Sequence, residues 1–463
     1  MPRHRRTLRP RRRPRDRDAP YAARPGPTGT SMNMPRNVLS LCAAAFVLTL
    51  IVLGVTLDLG SPDESPPGSA ASASVAARGT QARIARLEQA ARRRPDDAEP
   101  LVGLAAALLQ SVRETGDLSA YDRAGRAIEG ALRRDRGNAA AYTERGILRL
   151  ARHDFRGALG DGRRAHELAP DSVTPLGVLV DANVELGRYA AAERTLQRMV
   201  NLKPNLASYA RVAYYRELRG DLDGASLALA LAASAGGEAP ENAAYVQALR
   251  GNVELALGRT EQARRAFDAA RAKLPGYAPA EAGIARLDVA AGRLKPAIER
   301  LRAVVERLPL QEYVVGLGEI ELAAGRRDEG RRTLELVRAQ QQLLGAAGVN
   351  TDAELAIFEA DHGDARRAVK LAQAAWANAP SVRSADALGW ALTRAGDARA
   401  GLRYGRRALR LGSRDASFLY HAGMSARAAG RRDEAARLLR DAVANPGFSP
   451  LHAQAARSAL AKL

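Results

Sequence analysis

Residues 241–275 read ENAAYVQALRGNVELALGRTEQARRAFDAARAKLP, and this stretch decides the fold. It holds two runs with the apolar spacing of amphipathic helices, separated by Gly258 and ended by Pro275. A glycine between two helical runs favours a left-handed helix cap, and a proline cannot continue a helix. The stretch therefore predicts two antiparallel helices of about 12–15 residues, with Ala263 and Ala270 small enough for close packing.

The same unit recurs along the chain. Prolines that follow helical stretches are Pro95, Pro170, Pro204, Pro275, Pro309, Pro380 and Pro446. The gaps between them are 75, 34, 71, 34, 71 and 66 residues, which are one or two units of 34 with small insertions or deletions. Turn glycines with a small residue five positions later are Gly187/Ala192, Gly220/Ala225, Gly258/Ala263, Gly292/Ala297, Gly325/Gly330, Gly363/Ala368, Gly396/Gly401 and Gly430/Ala435. Because one hairpin cannot bury its apolar face alone, the units are predicted to stack into an all-α solenoid.

Some units depart from this pattern. The unit that begins near Asn138 has Asp154 at the turn, and the unit after Leu310 lacks a terminal proline. Many first helices carry a glycine of their own, at Gly146, Gly251, Gly318, Gly389 and Gly423. Ankyrin repeats have a similar period but need a turn signature that is missing here. A coiled coil would need unbroken heptads, which glycine and proline interrupt in every unit.

The spacing of these glycines, alanines and prolines resembles the tetratricopeptide repeat (TPR) family over about residues 80–463. The resemblance implies a solenoid of about ten helical hairpins, with a half-unit at 84–95 and a cap helix at 451–463. It also implies that the first helix of each unit lines a concave surface. The inward candidates for contact with a partner are Asp181, Glu185, Tyr214, Glu217, Gln247, Asn252, Arg286, Glu319, Asp386, Trp390, Tyr420 and Met424.

The N-terminal 79 residues divide into three segments. Residues 1–37 hold eleven arginines and two aspartates and are predicted to be a disordered basic tail. Residues 38–57 carry no charge and are long enough for one transmembrane helix. Residues 58–79 are rich in Ser, Pro, Gly and Ala and are predicted to be a flexible linker. The basic side of the span should remain cytoplasmic, which places the solenoid outside the cytoplasmic membrane.

Two alternatives for this region stay open. The apolar run could be a cleaved signal peptide, although it is longer than a typical one and its nearest Ala-x-Ala site, at 71–73, lies well beyond it. Translation could also start at Met32 or Met34, which would remove most of the arginines but keep Arg36.

The sequence offers no catalytic set. One cysteine and six scattered histidines leave little room for a thiolate or histidine metal site, and neither a P-loop nor a His-Glu-x-x-His motif occurs. The most site-like cluster, residues 361–364 (DHGD), falls on a predicted turn. We interpret it as a solvated turn rather than as a metal site. We therefore expect no enzyme, no cofactor and no resident metal. The few, dispersed aromatic residues also make nucleic acid an improbable partner.

The leading hypothesis is a membrane-anchored TPR scaffold that holds a peptide or protein partner in its concave groove, in envelope assembly or secretion. The alternative is a factor for export of polysaccharide or cell-wall polymer. Its basis is a set of arginine doublets on second helices, which the resemblance puts on the convex face: Arg163-Arg164, Arg264-Arg265, Arg331-Arg332, Arg366-Arg367 and Arg406-Arg407. Such a basic face could meet anionic lipid or polymer, or simply be solvated.

Overall fold

A computed structural model describes residues 71–236 and 239–463, with side chains from residue 78 onward. These residues fall in one compact unit and contain helices but no strand. In chain order the helices are α1 (Ala71–Arg93), α2 (Glu99–Thr115), α3 (Ser119–Arg134), α4 (Ala139–Ala151), α5 (Phe155–Leu168), α6 (Thr174–Glu185), α7 (Tyr189–Leu202), α8 (Leu206–Leu218), α9 (Leu222–Ser234), α10 (Pro240–Ala256), α11 (Thr260–Lys273), α12 (Ala278–Ala290), α13 (Leu294–Arg307), α14 (Gln311–Ala323), α15 (Arg327–Ala346), α16 (Asp352–His362), α17 (Ala365–Asn378), α18 (Val382–Arg394), α19 (Ala398–Ala408), α20 (Ala416–Ala428), α21 (Arg432–Val443) and α22 (Pro450–Leu460).

Most of the N-terminal residues for which the sequence makes predictions are outside the described part of the chain. The basic tail at 1–37, the predicted span at 38–57 and most of the predicted linker at 58–79 are outside the described residues. Helix α1 begins at Ala71, inside the predicted linker, because this end of the segment is rich in alanine, the strongest helix former. Within 71–236 and 239–463, no helix has the length and apolar character needed to cross a membrane.

Ten helical hairpins make up the body of the described chain. Helix α2 pairs with α3, and the pairing continues in order as far as α20 with α21. Neighbouring hairpins pack on one another, with α1 against α2 at one end and α22 against α21 at the other. The seventh and eighth hairpins share only a small apolar cluster, in which Val314 and Leu334 meet Leu355 and Phe358. The predicted solenoid of about ten hairpins with a cap helix is thereby confirmed. We call the even-numbered helices from α2 to α20 the first helices and their partners the second helices.

Left-handed glycines end most first helices, as the sequence predicts. Gly258 has a φ of 74°, and its N–H donates a hydrogen bond to the carbonyl oxygen of Leu255 at 2.9 Å. The unit near residue 138 differs from the prediction, because His153, not Asp154, occupies the left-handed position with a φ of 59°. Asp154 instead caps α5, since its carboxylate accepts the N–H of Gly157 at 2.9 Å.

Gly363 is a second exception among the turn glycines. Its φ of −137° is not left-handed, so the predicted glycine cap is wrong in this unit. The carboxylate of Glu359 compensates, because it accepts the backbone N–H of Asp364 at 3.0 Å and so satisfies the start of α17.

The glycines within first helices make room for neighbouring side chains. The ring of Phe267, on α11, is completely buried between Gly251 of α10 and Gly283 of α12. A Cβ atom at either glycine would overlap this ring. Gly318 makes room in the same way for Leu334. Successive units therefore approach closely where a large side chain of a second helix meets a glycine of a first helix.

The solenoid curves until distant hairpins touch. The hydroxyl of Tyr189, in the third hairpin, accepts the backbone N–H of Val382, in the ninth, at 2.8 Å, although the two residues are 193 positions apart. Near the second hairpin, the N–H of Asn350 donates to the carbonyl oxygen of Arg152 at 3.1 Å. Helix α22 also packs on α14. The first helices consequently line a deep, partly open cavity where the sequence predicts an open groove.

Candidate functional site

The partly open cavity is the candidate site. It has a volume of about 360 Å³ and is lined mainly by the first helices α10, α12, α14, α16, α18 and α20, with α22 and the loop that precedes it. Its ionisable lining residues are the acids Glu185, Glu312, Glu319, Glu354, Asp361 and Asp386, the arginines Arg286 and Arg383, and the histidines His153, His362, His421 and His452. Six carboxyl groups against two guanidinium groups give this inner wall an acidic bias that the strongly basic chain as a whole does not have.

Histidines concentrate here, against the expectation from the sequence. Four of the six histidines of the chain line the cavity. Two of them, His153 and His362, lie at the ends of helices, and the other two, His421 and His452, lie on helices of different units. These histidines lie close together because the solenoid curves. Their positions in the sequence give no indication of this proximity.

One corner of the cavity brings together Glu319, Asp361, His362 and His452. The His362 Nε2 atom is 3.2 Å from Glu319 Oε1, and the His452 Nε2 atom is 3.6 Å from Asp361 Oδ1. Burial works against a charge on His452, but the carboxylates of Glu319 and Asp361 outweigh it and raise its pKa to about 9. We call these four residues the carboxylate–histidine cluster. Asp361 and His362, interpreted from the sequence as part of a solvated turn, are instead inward and mostly buried.

A second pair lies beside this cluster. The Nδ1 atom of His421, on α20, is 2.9 Å from Asp386 Oδ2, on α18, and both side chains are almost fully buried. The imidazole of His421 also stacks on the indole of Trp390, with ring centres 4.7 Å apart. Asp386 is thus held by an internal partner rather than presented freely to the cavity.

Arg383 links two parts of the inner wall. Its Nε donates to the hydroxyl of Tyr214 at 3.0 Å, and that hydroxyl donates to Glu185 at 3.3 Å. Burial raises the pKa of Glu185, although Arg383 opposes the shift. Burial alone raises the pKa of Glu312, further along the wall, to about 7, in spite of Arg286. The effective negative charge of this part of the cavity is therefore smaller than the number of its carboxyl groups.

The structure separates the predicted site residues into two groups. Those that line the cavity are Glu185, Asn252, Arg286, Glu319 and Asp386. Asp181, Tyr214, Glu217, Gln247, Trp390, Tyr420 and Met424 are on first helices but not on the cavity wall. Trp390 and Tyr420 are 2% and 4% exposed and belong to the core near the C-terminus, against which Met424 packs. Contact with a partner stays a prediction for all twelve residues.

Asp181 is occupied by an internal ion pair. Its two carboxylate oxygens accept from Nε and Nη2 of Arg211 at 2.9 and 2.7 Å, and both side chains are buried. Gly177, on α6, has no side chain and so leaves space for the guanidinium group of Arg211. Burial raises the pKa of Asp181 to about 6, with Arg211 opposing the shift. This bidentate geometry indicates a structural role for Asp181.

Six ionisable residues of the cavity were not predicted as site residues from the sequence: His153, Glu312, Glu354, Arg383, His421 and His452. Asp361 and His362 were recognised as the most site-like cluster but were interpreted as a solvated turn. A usable signal existed for some of them. Complementary polar side chains on neighbouring first helices are about one period apart, as in Asn252 with Arg286 at a separation of 34 and Asp386 with His421 at 35. Residues from hairpins that are far apart, such as His153, leave no such signal.

The outer face carries the arginine doublets, and nearly all of these arginines are exposed. Several have acidic partners. Arg406 donates two hydrogen bonds to the carboxylate of Glu434, and Arg331 is paired with Asp328. Exposed ion pairs of this kind contribute little to stability. They also reduce the net charge that this face could offer to an anionic surface.

Glu144, on α4, provides a test of the inner electrostatics. The residue is 6% exposed, and burial raises the pKa of its carboxyl group to about 8, with Arg113 and Arg83 opposing. Because the folded pKa lies above the unfolded value of about 4.5, the unfolded state releases its proton first, and the free energy of unfolding falls as the pH rises from about 4.5 to about 8. Glu144→Gln removes this loss.

We expect Glu144→Gln to raise the free energy of unfolding at pH 8 by about 2–4 kcal/mol and to leave it nearly unchanged at pH 4.5. Urea unfolding of both proteins at a series of pH values checks this. Glu261→Gln, a change at an exposed carboxylate on α11, is the matched control and should show no pH-dependent difference. Equal stability of Glu144→Gln and the parent at pH 8 would contradict the assignment.

Comparisons with known proteins agree with the repeat architecture. Residues 254–317 match the family described as Tetratricopeptide repeat. No curated protein matches the chain. Similar solved structures include PilW, a widely conserved type IV pilus biogenesis factor, at 17% identity over 43% of this chain and 92% of that chain, with a TM-score of 0.37. The human IFIT1 dimer with PPP-AAAA matches at 18% identity over 72% and 78% of the two chains, with a TM-score of 0.43.

A further match is a tetratricopeptide repeat protein from Parabacteroides merdae, at 17% identity over 54% of this chain and 96% of that chain, with a TM-score of 0.38. An all-helical repeat fold with a TPR match suggests a scaffold for interactions between proteins, and proteins of this type are typically not catalysts.

Proposed function

We propose that this protein is a non-catalytic scaffold that holds a segment of a protein partner against the inner wall of its solenoid. The cavity supports this proposal best, because it combines apolar lining with a few polar and charged groups, as binding sites do. Among the carboxyl groups of the cavity, that of Glu354 has a buried oxygen, Oε2, without a hydrogen-bond partner among the described residues, which favours a partner segment with a basic side chain. A volume of about 360 Å³ accommodates one or two large side chains rather than a folded domain.

The proposal extends to the membrane. Residues 38–57 would anchor the scaffold, with the arginine-rich segment on the cytoplasmic side and the solenoid on the outer side. A partner in envelope assembly or secretion fits this location. A topology reporter that functions only outside the cytoplasm should be active when it is fused to the C-terminus. Activity of a reporter that works only in the cytoplasm would contradict the placement.

Gly316 allows the cavity to be filled with little disturbance of the fold. It is a helical glycine on α14 that lines the cavity, and a Cβ at this position would meet no atom within 4 Å. We expect Gly316→Trp to reduce capture of the partner by about tenfold or more, which corresponds to about 1.4 kcal/mol. Cross-linking in intact cells, followed by identification of the captured proteins, gives the measurement.

The matched control is Gly160→Trp. Gly160 is also a helical glycine with open space at its Cβ, but it is exposed on a second helix, α5. Both variants should unfold at similar temperatures, and only Gly316→Trp should lose the partner. Loss of the partner in Gly160→Trp, or full capture by Gly316→Trp, would exclude the inner wall as the binding surface.

The alternative function, in export of polysaccharide or cell-wall polymer, depends on the exposed arginine doublets. Charge reversal at Arg163 and Arg164, an exposed doublet on α5, discriminates between the two. If association with membrane or polymer is unchanged while the partner is still captured, the outer face has no such role. Loss of that association with the inner wall intact would favour the alternative.

A further inference from the structure

The carboxylate–histidine cluster joins three helices at one point. Glu319 comes from α14, Asp361 and His362 from the end of α16, and His452 from α22. All four side chains are between 8% and 12% exposed and line the cavity. Glu319, Asp361 and His452 each direct one ligand atom into a region where these atoms lie within 4.8 Å of one another. Two nearly buried carboxylates at this spacing require positive charge between them.

The spacing around His452 leaves room for a shared cation. His452 Nε2 is 3.6 Å from Asp361 Oδ1 and 3.9 Å from Glu319 Oε1, beyond the usual range for an N–H···O hydrogen bond. The tetrahedral arrangement of ligands around Zn²⁺, with bonds of about 2.0–2.1 Å, separates the ligand atoms by about 3.3–3.4 Å. His362 Nε2, at 3.2 Å from Glu319 Oε1, is within hydrogen-bond distance of that carboxylate and so orients it.

The surrounding residues hold the ligand atoms in place. The indole N–H of Trp390 donates to Asp361 Oδ1 at 2.8 Å, and the hydroxyl of Ser449 donates to Glu319 Oε2 at 2.7 Å. The His452 ring stacks on Tyr420, with ring centres 4.9 Å apart. Outer contacts of this kind orient carboxylates and imidazoles at metal sites and raise the affinity for the metal.

We propose that the cluster binds one divalent transition-metal ion of the zinc class through Glu319, Asp361 and His452, with release of the His452 proton to solvent. One imidazole nitrogen and two carboxylate oxygens, with a water molecule as the fourth ligand, are a donor set suited to Zn²⁺, and His362 holds Glu319 from outside this set. The two negative charges of the carboxylates balance the charge of the ion. Because the ligands come from α14, α16 and α22, the ion would fasten the C-terminal cap helix to the seventh and eighth hairpins. It would thereby stabilise the closed form of the cavity.

Zinc titration of the full-length protein tests the proposal. The protein is purified in detergent, stripped with EDTA and dialysed, and Zn²⁺ is titrated in competition with a chromophoric chelator. We expect one Zn²⁺ per chain and a higher unfolding temperature in its presence. Binding should be about 100-fold weaker in His452→Gln, which removes a ligand, and about tenfold weaker in His362→Gln, which removes only an outer contact to Glu319. His166→Gln is the control for non-specific binding, since His166 lies on α5 outside the cavity, and it should bind Zn²⁺ like the parent.

X-ray absorption at the zinc edge gives a measurement that does not depend on the folding of any variant. The loaded parent protein should show one imidazole ligand and oxygen ligands. A spectrum with oxygen ligands alone, less than a tenth of an equivalent of bound zinc, or equal affinity in the double variant His362→Gln/His452→Gln would overturn the proposal. The cluster would then be an ion-paired contact in which protonated His452 joins the two carboxylates. None of these results bears on capture of the partner.

Discussion

Asp181→Ala is expected to lower the free energy of unfolding by about 3–5 kcal/mol. The substitution leaves the Arg211 guanidinium buried, with only the carbonyl oxygen of Ala207 as a remaining acceptor, at 3.1 Å. An unpaired charge in the interior costs far more than the pair itself contributes, because its desolvation is no longer offset. Urea unfolding, followed by circular dichroism at pH 7, measures the loss.

Two further variants separate this explanation from a general effect of mutation. The double variant Asp181→Leu/Arg211→Met replaces both charges with apolar groups and should recover most of the stability. Asp328→Ala removes an exposed partner of Arg331 and should change stability by less than about 0.5 kcal/mol. If the double variant is as unstable as Asp181→Ala, the buried charge is not the cause. If Asp181→Ala is as stable as the parent, the ion pair has no structural role, and Asp181 is again a candidate for contact with a partner.

Gly283→Ala is expected to destabilise the protein by about 3 kcal/mol. The added methyl group overlaps the ring of Phe267, which cannot move away because Gly251 closes the opposite side of its pocket. Relief requires a shift of α12 against α11, which loses contacts along the whole interface between two units. The temperature and the urea concentration at half unfolding should both decrease.

Gly316→Ala is the matched control for Gly283→Ala. It makes the same change in the first helix of the next hairpin, where the methyl group meets open space. It should be neutral or stabilising by up to about 1 kcal/mol, because alanine favours a helix more than glycine does. In the background of Phe267→Leu, Gly283→Ala should cost less than it does alone, since the smaller side chain leaves space for the methyl group. Equal costs in both backgrounds would mean that the ring is not the obstacle.

Closure of the solenoid explains why the inner wall is rich in buried ionisable groups. On an open concave surface, Glu185 and Glu312 would be solvated and would keep ordinary pKa values. In the closed form, Arg383 of the ninth hairpin lies over Glu185 of the third, next to the contact of Tyr189 with Val382, while Glu312 lies inside the cavity. A partner segment that enters the cavity would contact Glu185 and Glu312, whose carboxyl groups are only partly ionised near neutral pH because their pKa values are raised. Binding is therefore expected to depend on pH near neutrality.

The sequence by itself determined the repeating hairpin. The 34-residue period, the left-handed glycines such as Gly258 and the glycines within first helices all act within one unit or between neighbours, and the described residues form ten hairpins. Pairs one period apart, such as Asp386 with His421, are also within reach of sequence reasoning. The predicted turn residue Asp154 was one position out, because histidine can adopt a left-handed backbone that is normally assigned to glycine.

Only the tertiary structure decided what the inner wall contains. The rotation between neighbouring hairpins is small, and its sum over six units determines whether the solenoid stays open or closes on itself. No residue or motif encodes that sum locally. The contacts of His153 with Asn350 and of His452 with Glu319 could therefore not be predicted from the sequence. The carboxylate–histidine cluster and the cavity arise from this accumulated curvature, whereas the hairpins arise from contacts within and between adjacent units.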